Sequence, residues 1–159
     1  MNVASRRLVV LTVISLVVAA TALAVAGWAL YRLDYAKADY SSEQIADAKV
    51  KACGAVDVVR RGVSLNTNLM PAGGPADITG AQAVAANARV SLYAGGLYLM
   101  ARLDPATPEP LAEKVREFAD NLMDIGANAT AGTTNDEPSQ AERLKAADSA
   151  SADLVELCK

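Results

Sequence analysis

Residues 8–30 read LVVLTVISLVVAATALAVAGWAL, twenty-three positions without a charge. Arg6-Arg7 precedes the run and Arg32 follows it closely. A bilayer core of about 30 Å needs about 20 apolar residues in a helix, so the run is long enough to span. Thr12, Ser15 and Thr21 are tolerated there because a hydroxyl can bond to the preceding turn. Trp28 and Tyr31 close the run where aromatic rings favour the lipid–water interface, and Arg6-Arg7 sets the N-terminus on the cytoplasmic side. Lys37 adds to the far flank, but Asp34 and Asp39 do not count in that rule. The chain thus divides into a tail over residues 1–7, a transmembrane signal anchor over 8–30, and an extracytoplasmic domain over 31–159.

A cleaved signal peptide is the competing reading, with Ala22-Leu23-Ala24 or Ala24-Val25-Ala26 as the small-x-small site. The apolar run continues past both sites to Leu30, which favours the uncleaved anchor. Either reading delivers the domain to the same side. Ala20/Ala24 and Ala22/Ala26 have the spacing of membrane helix contacts, although alanine is common throughout this chain.

The 129 residues after the run suffice for one domain with its own core. The chain is rich in Ala, Val and Leu, with one Phe, one Trp and no His, a composition that favours helices over strands. After Leu30, thirteen basic residues face eighteen acidic ones, a net of −5. That balance argues against nucleic acid as a partner.

Four amphipathic segments are legible. The first follows Ser41, which with Gln44 three residues on has the form of a capping box. Its apolar face is Ile45, Ala48, Ala52, Val56, Val59 and Val63, and Arg60-Arg61 falls toward its end. Ser64–Asp77, with its Asn, Gly and Pro, reads as a long loop. The second helix spans Ile78–Leu103 behind a candidate cap at Asp77. It carries two apolar stripes: Val84, Ala88, Leu92, Gly95, Leu99, and Ala86, Val90, Tyr93, Leu97, Met100. Two stripes predict burial on more than one side. Gly95-Gly96 at mid-helix predicts a close neighbour or a kink. Tyr93, Gly95, Gly96 and Tyr98 therefore form a candidate groove, for a ligand or for close packing.

Thr107 is the expected cap of the third helix, with Pro108 at its first position. Its stripe is Leu111, Val115, Phe118, Leu122 and Ile125, at steps of 4, 3, 4 and 3. Gly126–Pro138 reads as a second loop, in which Asn128-Ala129-Thr130 has the form of a glycosylation acceptor. Asn135 or Asp136, with Pro138, starts a fourth helix whose stripe is Leu144, Ala147, Ser151, Leu154 and Cys158. The expected fold is all-α: one transmembrane helix followed by an antiparallel four-helix bundle.

Cys53 and Cys158 are the two cysteines. An even count outside the cytoplasm favours a disulfide, which would tie the last helix to the first. Intermolecular bonds or a free thiol are the alternatives. There is no Cys-x-x-Cys, and no His to serve as general base or metal ligand. Ser-x-x-Lys, Gly-x-Ser-x-Gly and a phosphate-cradling glycine loop are also missing. Carboxylate pairs such as Glu113/Glu117 and Asp120/Asp124 read as a solvated acidic face. No catalytic, cofactor-binding or metal residue is assigned, and the chain is not expected to be an enzyme.

Several stretches resemble a group of small single-pass membrane proteins of mycobacteria and related actinobacteria, described as alanine- and proline-rich. They are residues 51–56 (KACGAV), 63–68 (VSLNTN), 85–89 (AANAR), 124–126 (DIG) and 157–159 (LCK). The group often has a proline-rich cytoplasmic tail, whereas this tail is seven residues without Pro. The resemblance implies an envelope location and no enzyme activity. From the anchor, the long loops and the absence of catalytic motifs, two functions are expected. The first is a structural or adaptor role in the cell envelope through a protein partner. The alternative is an extracytoplasmic module binding a lipid or other hydrophobic ligand.

Overall fold

The computed structural model describes residues 3–35 and 39–159, with side chains described over 12–30 and 39–159. Five α-helices make up the described secondary structure: α1 Val3–Tyr35, α2 Ser42–Thr67, α3 Ile78–Arg102, α4 Glu109–Thr130 and α5 Pro138–Leu157. The all-α expectation holds. Two units are distinct, Met1–Asp39 and Tyr40–Lys159.

In the first unit, α1 is long and apolar enough to cross a membrane over Thr12–Leu30, where mean hydropathy is 2.3. Its hydroxyls are answered locally. Ser15 Oγ donates to the Thr12 carbonyl at 2.9 Å, and Thr21 Oγ1 to those of Val17 and Val18. The side chains of Arg6, Arg7, Tyr31, Arg32 and Asp34 lie outside the described residues, as does Lys37.

The second unit is a bundle in which each helix packs on the next in sequence: α2 on α3, α3 on α4, α4 on α5. Short connections force these neighbours antiparallel. α2 and α5 then meet over a limited stretch, and α3 and α5 lie diagonally without contact. The core gathers Ala52, Val56, Val59, Leu92, Leu99, Val115, Phe118, Leu122, Ile125 and Leu154. The period read along α4 is its buried face: Leu111, Val115, Phe118, Leu122 and Ile125 are all enclosed.

The capping box is present. The Gln44 N–H donates to Ser41 Oγ at 3.2 Å, and the Ser41 N–H to Gln44 Oε1 at 2.8 Å. Asp77 caps α3 by accepting from the Gly80 N–H at 2.8 Å. Four boundaries differ from the sequence reading. α2 runs past Ser64 to Thr67, and α4 past Gly126 to Thr130. At both ends, side chains taken for loop formers donate four residues back. Asn66 and Asn68 reach the Gly62 and Ser64 carbonyls, and Asn128 and Thr130 those of Asp124 and Gly126. A side chain that bonds back to the preceding turn is accommodated at a helix end, so residue types that form loops also serve in the last turn here. Pro108, not Thr107, is the cap of α4. A turn in which the Thr107 N–H donates to the Asp104 carbonyl draws Thr107 inward, and its side chain is buried. Glu137, not Asn135 or Asp136, caps α5, and its Oε1 accepts from the Thr134 N–H at 2.9 Å.

α3 departs furthest from expectation. Only its Leu92, Gly96 and Leu99 side is buried; Val90, Tyr93, Leu97 and Met100 are exposed. The helix has bundle neighbours on one side alone, so its second apolar stripe has nothing within the unit to cover it.

Candidate binding cavity between α2 and α5

α2 and α5 are joined at one end and part toward the other. Cys53 and Cys158 form a disulfide with Cα atoms 5.6 Å apart. Two turns further along both helices, Arg60 Nε donates to Ser151 Oγ at 2.8 Å. Two turns beyond that, Thr67 and Leu144 both line a cavity of about 740 Å³. These three pairs follow one antiparallel register, each advancing seven residues on α2 and retreating seven on α5.

Core side chains floor the cavity: Leu92 from α3, Phe118, Leu122 and Ile125 from α4, and Ala147 from α5. Polar groups ring it. Arg60 and Ser64 come from α2 and Asn68 from its C-terminal cap, Arg89 from α3, Asp148 from α5, and Thr133, Thr134 and Asn135 from the loop after α4. Gly132, at φ 101, gives that loop the left-handed step that carries it across the cavity end. An apolar interior with a few polar groups at the rim, in this size range, is the usual make-up of a small-molecule site. Two guanidinium groups against one carboxylate make the rim locally cationic on a domain that is acidic as a whole.

The candidate groove from the sequence lies elsewhere. Gly95 and Gly96 are close-packing positions, and α3 is continuous through them. A Cβ on Gly95 would stand 2.9 Å from Val59 Cγ1 of α2. One on Gly96 would stand 2.6 Å from the Ala119 carbonyl oxygen of α4. Tyr93 is exposed on the outer side of α3, and Tyr98 lies under the Arg102 guanidinium at 5.1 Å. The structure does not bring the two tyrosines together with the glycines as a pocket.

Arg61 pairs with exposed Asp57 at 3.0 Å, whereas Arg60 donates to Ser151 of α5. Gln140, fully enclosed, donates from Nε2 to the Ile125 carbonyl at 3.1 Å and fixes the start of α5 on the end of α4. Its cue in the sequence is faint: it stands four residues before Leu144 on the apolar stripe.

Among the described residues, three groups have a clearly shifted pKa. The Ala106 backbone N–H, with the Lys51 ammonium at 3.4 Å, holds the Asp104 carboxyl below the usual range. Hydrogen bonds to Glu117 and Asp153 raise Lys114. A hydrogen bond from Thr134 lowers Asp136. None of these groups lines the cavity. Among the described residues, no cluster of His, Cys, Asp or Glu could hold a metal ion.

The chain matches no protein family, no curated protein and no solved structure. Its functional reading therefore rests on its own geometry.

Proposed function

We propose that this chain is a single-pass membrane protein of the cell envelope, N-terminus cytoplasmic, whose extracytoplasmic bundle binds a single-chain amphiphile with an anionic head. The observation that carries this is the gap between α2 and α5: a cavity of about 740 Å³ with an apolar floor and the Arg60 and Arg89 side chains at its rim. The tail lies over Phe118, Leu122 and Ile125, and the head meets the guanidinium groups. The Arg6-Arg7 flank and the disulfide support the orientation, since positive residues stay inside and disulfides persist outside the cytoplasm. Binding is preferred to catalysis because no nucleophile–base arrangement is legible and the chain has no His. The resemblance to the actinobacterial group supports the envelope location.

The test uses the full chain purified in mild detergent and exchanged into lipid nanodiscs. A fluorescent fatty acid should bind with one site per chain. Ala88→Phe, which places a ring in the cavity from α3, should abolish binding without unfolding the chain. Arg89→Gln should weaken it several-fold. Equal binding by all three proteins would overturn the assignment.

An adaptor role through protein–protein contacts is the second reading. The exposed apolar side of α3 favours it.

A further inference from the structure

The outer side of α3 is built to receive a helix. Thr79, Ala83, Ala86, Val90, Tyr93, Leu97 and Met100 follow one another at alternating steps of four and three, and all seven are exposed. The large ones are well exposed: Val90 is 64% accessible, Tyr93 49%, Leu97 49% and Met100 41%. This is the period of a coiled-coil seam. Isolated apolar side chains on a surface are ordinary, but a continuous stripe of them marks an interaction site. From Ile78 to Ala101 the only charged residue is Arg89. A solvated face would carry charges along its length, as α4 does with Glu113, Glu117, Asp120 and Asp124.

Residue sizes along the stripe choose the occupant. They run from small to large, Ala83 and Ala86 at one end, Leu97 and Met100 at the other. An antiparallel second copy of α3 reverses that order. Seam positions of one helix then face the alternate seam positions of the other, which gives layers Ala83–Met100, Ala86–Leu97 and Val90–Tyr93, each repeated across a two-fold axis. Every layer joins a smaller side chain to a larger one. A parallel pairing would set Ala83 against Ala83 and Tyr93 against Tyr93, loose at one end and crowded at the other. Residue i meeting j while j meets i is the condition for a closed two-fold dimer. The neutral face also removes the like-charge repulsion that an acidic domain would otherwise present to its own copy.

We infer that two copies of this chain pair through α3, antiparallel, about an axis between Val90 and Tyr93. The seam from Ala83 to Met100 is roughly 26 Å long at 1.5 Å per residue. Two helices facing over that length bury on the order of 1,000 Å² in total, the lower limit for a specific interface. The pair is therefore weak and reversible. It leaves the cavity free, since the seam and the cavity occupy different sides of α3.

Thiol cross-linking of the full chain in intact cells tests this, with a short bismaleimide and single cysteines added outside the native disulfide. Val90→Cys, beside the axis, should cross-link to itself. Ala83→Cys and Met100→Cys alone should not, because each lies about 26 Å along the helix from its own copy. Co-expressed, those two variants should cross-link to each other. Leu97→Glu, at an exposed position the bundle does not need, should remove the Val90→Cys product. The inference is overturned if Val90→Cys gives no more dimer than Leu65→Cys, which is exposed on α2, or if Ala83→Cys alone cross-links as well as Val90→Cys.

Discussion

Arg60 Nε lies 2.8 Å from Ser151 Oγ, and each of these residues stands seven positions from its end of the Cys53–Cys158 disulfide. The hydrogen bond is thus the second rung of a contact that the disulfide begins. Beyond it α2 and α5 separate around the cavity.

Loss of either rung should loosen the same helix pair. Ser151→Ala removes a charge-assisted hydrogen bond in a half-buried setting, for an expected cost of about 1 kcal/mol. Cys53→Ser with Cys158→Ser opens a loop of 105 residues. The chain-entropy argument puts that loss at about 4.7 kcal/mol. Because both act on one contact, the combined variant should depart from additivity. Denaturant midpoints of the four proteins measure the coupling. The oxidised chain should also run ahead of the reduced one on a denaturing gel.

The glycines should divide by what surrounds them. Gly96→Ala would push a methyl group against the Ala119 carbonyl, 2.6 Å away on the α4 backbone. Overpacking of this kind costs about 1–3 kcal/mol, against about 1 kcal/mol gained in helix propensity. A net loss is expected. Gly54 and Gly62, on α2, have nothing within 4 Å of an added Cβ. Gly54→Ala and Gly62→Ala should therefore stabilise the bundle by about 0.4–1 kcal/mol. Thermal unfolding monitored by circular dichroism ranks the three. A stabilised Gly96→Ala would show that α3 and α4 are not packed as closely as described.

Acid should weaken the bundle through Asp104. Its carboxyl titrates below the ordinary 3.8 in the folded chain, chiefly because the ionised form accepts from the Ala106 N–H and then because Lys51 is close. A depressed folded value means that its stabilisation is complete above the ordinary value and is lost as pH falls through the folded one. Asp104→Asn should flatten this part of the acid limb. Urea midpoints from about pH 5 down to about pH 2 would show it as a smaller drop than in the parent chain.

Much of the architecture was legible because one physical rule produced it. The Leu111–Ile125 stripe is buried as its spacing requires, and Ser41 and Gln44 make the capping box their types and spacing announce. The cysteine pair was legible from its even count. Other features were not. Asn66, Asn68, Asn128 and Thr130 have two uses, ending a helix or prolonging it, and residue type does not choose between them. The double stripe of α3 signals two apolar sides but does not say whether the second is covered by this chain. The cavity was hidden for a different reason. It depends on how far α2 and α5 diverge, and Leu144 or Phe118 looks the same in sequence whether it fills a core or faces a gap.

The neighbour-on-neighbour packing of α2, α3, α4 and α5 also sets an order in time. Three of the four sides of the bundle are made between segments adjacent along the chain, and such local contacts form quickly. Only the α2–α5 side joins residues far apart, at a separation of 105 for the cysteines. By that argument the three hairpins are expected to form before the α2–α5 seam closes. Oxidation of Cys53 and Cys158 is then expected to seal an already assembled bundle, the bond serving as a latch rather than a guide.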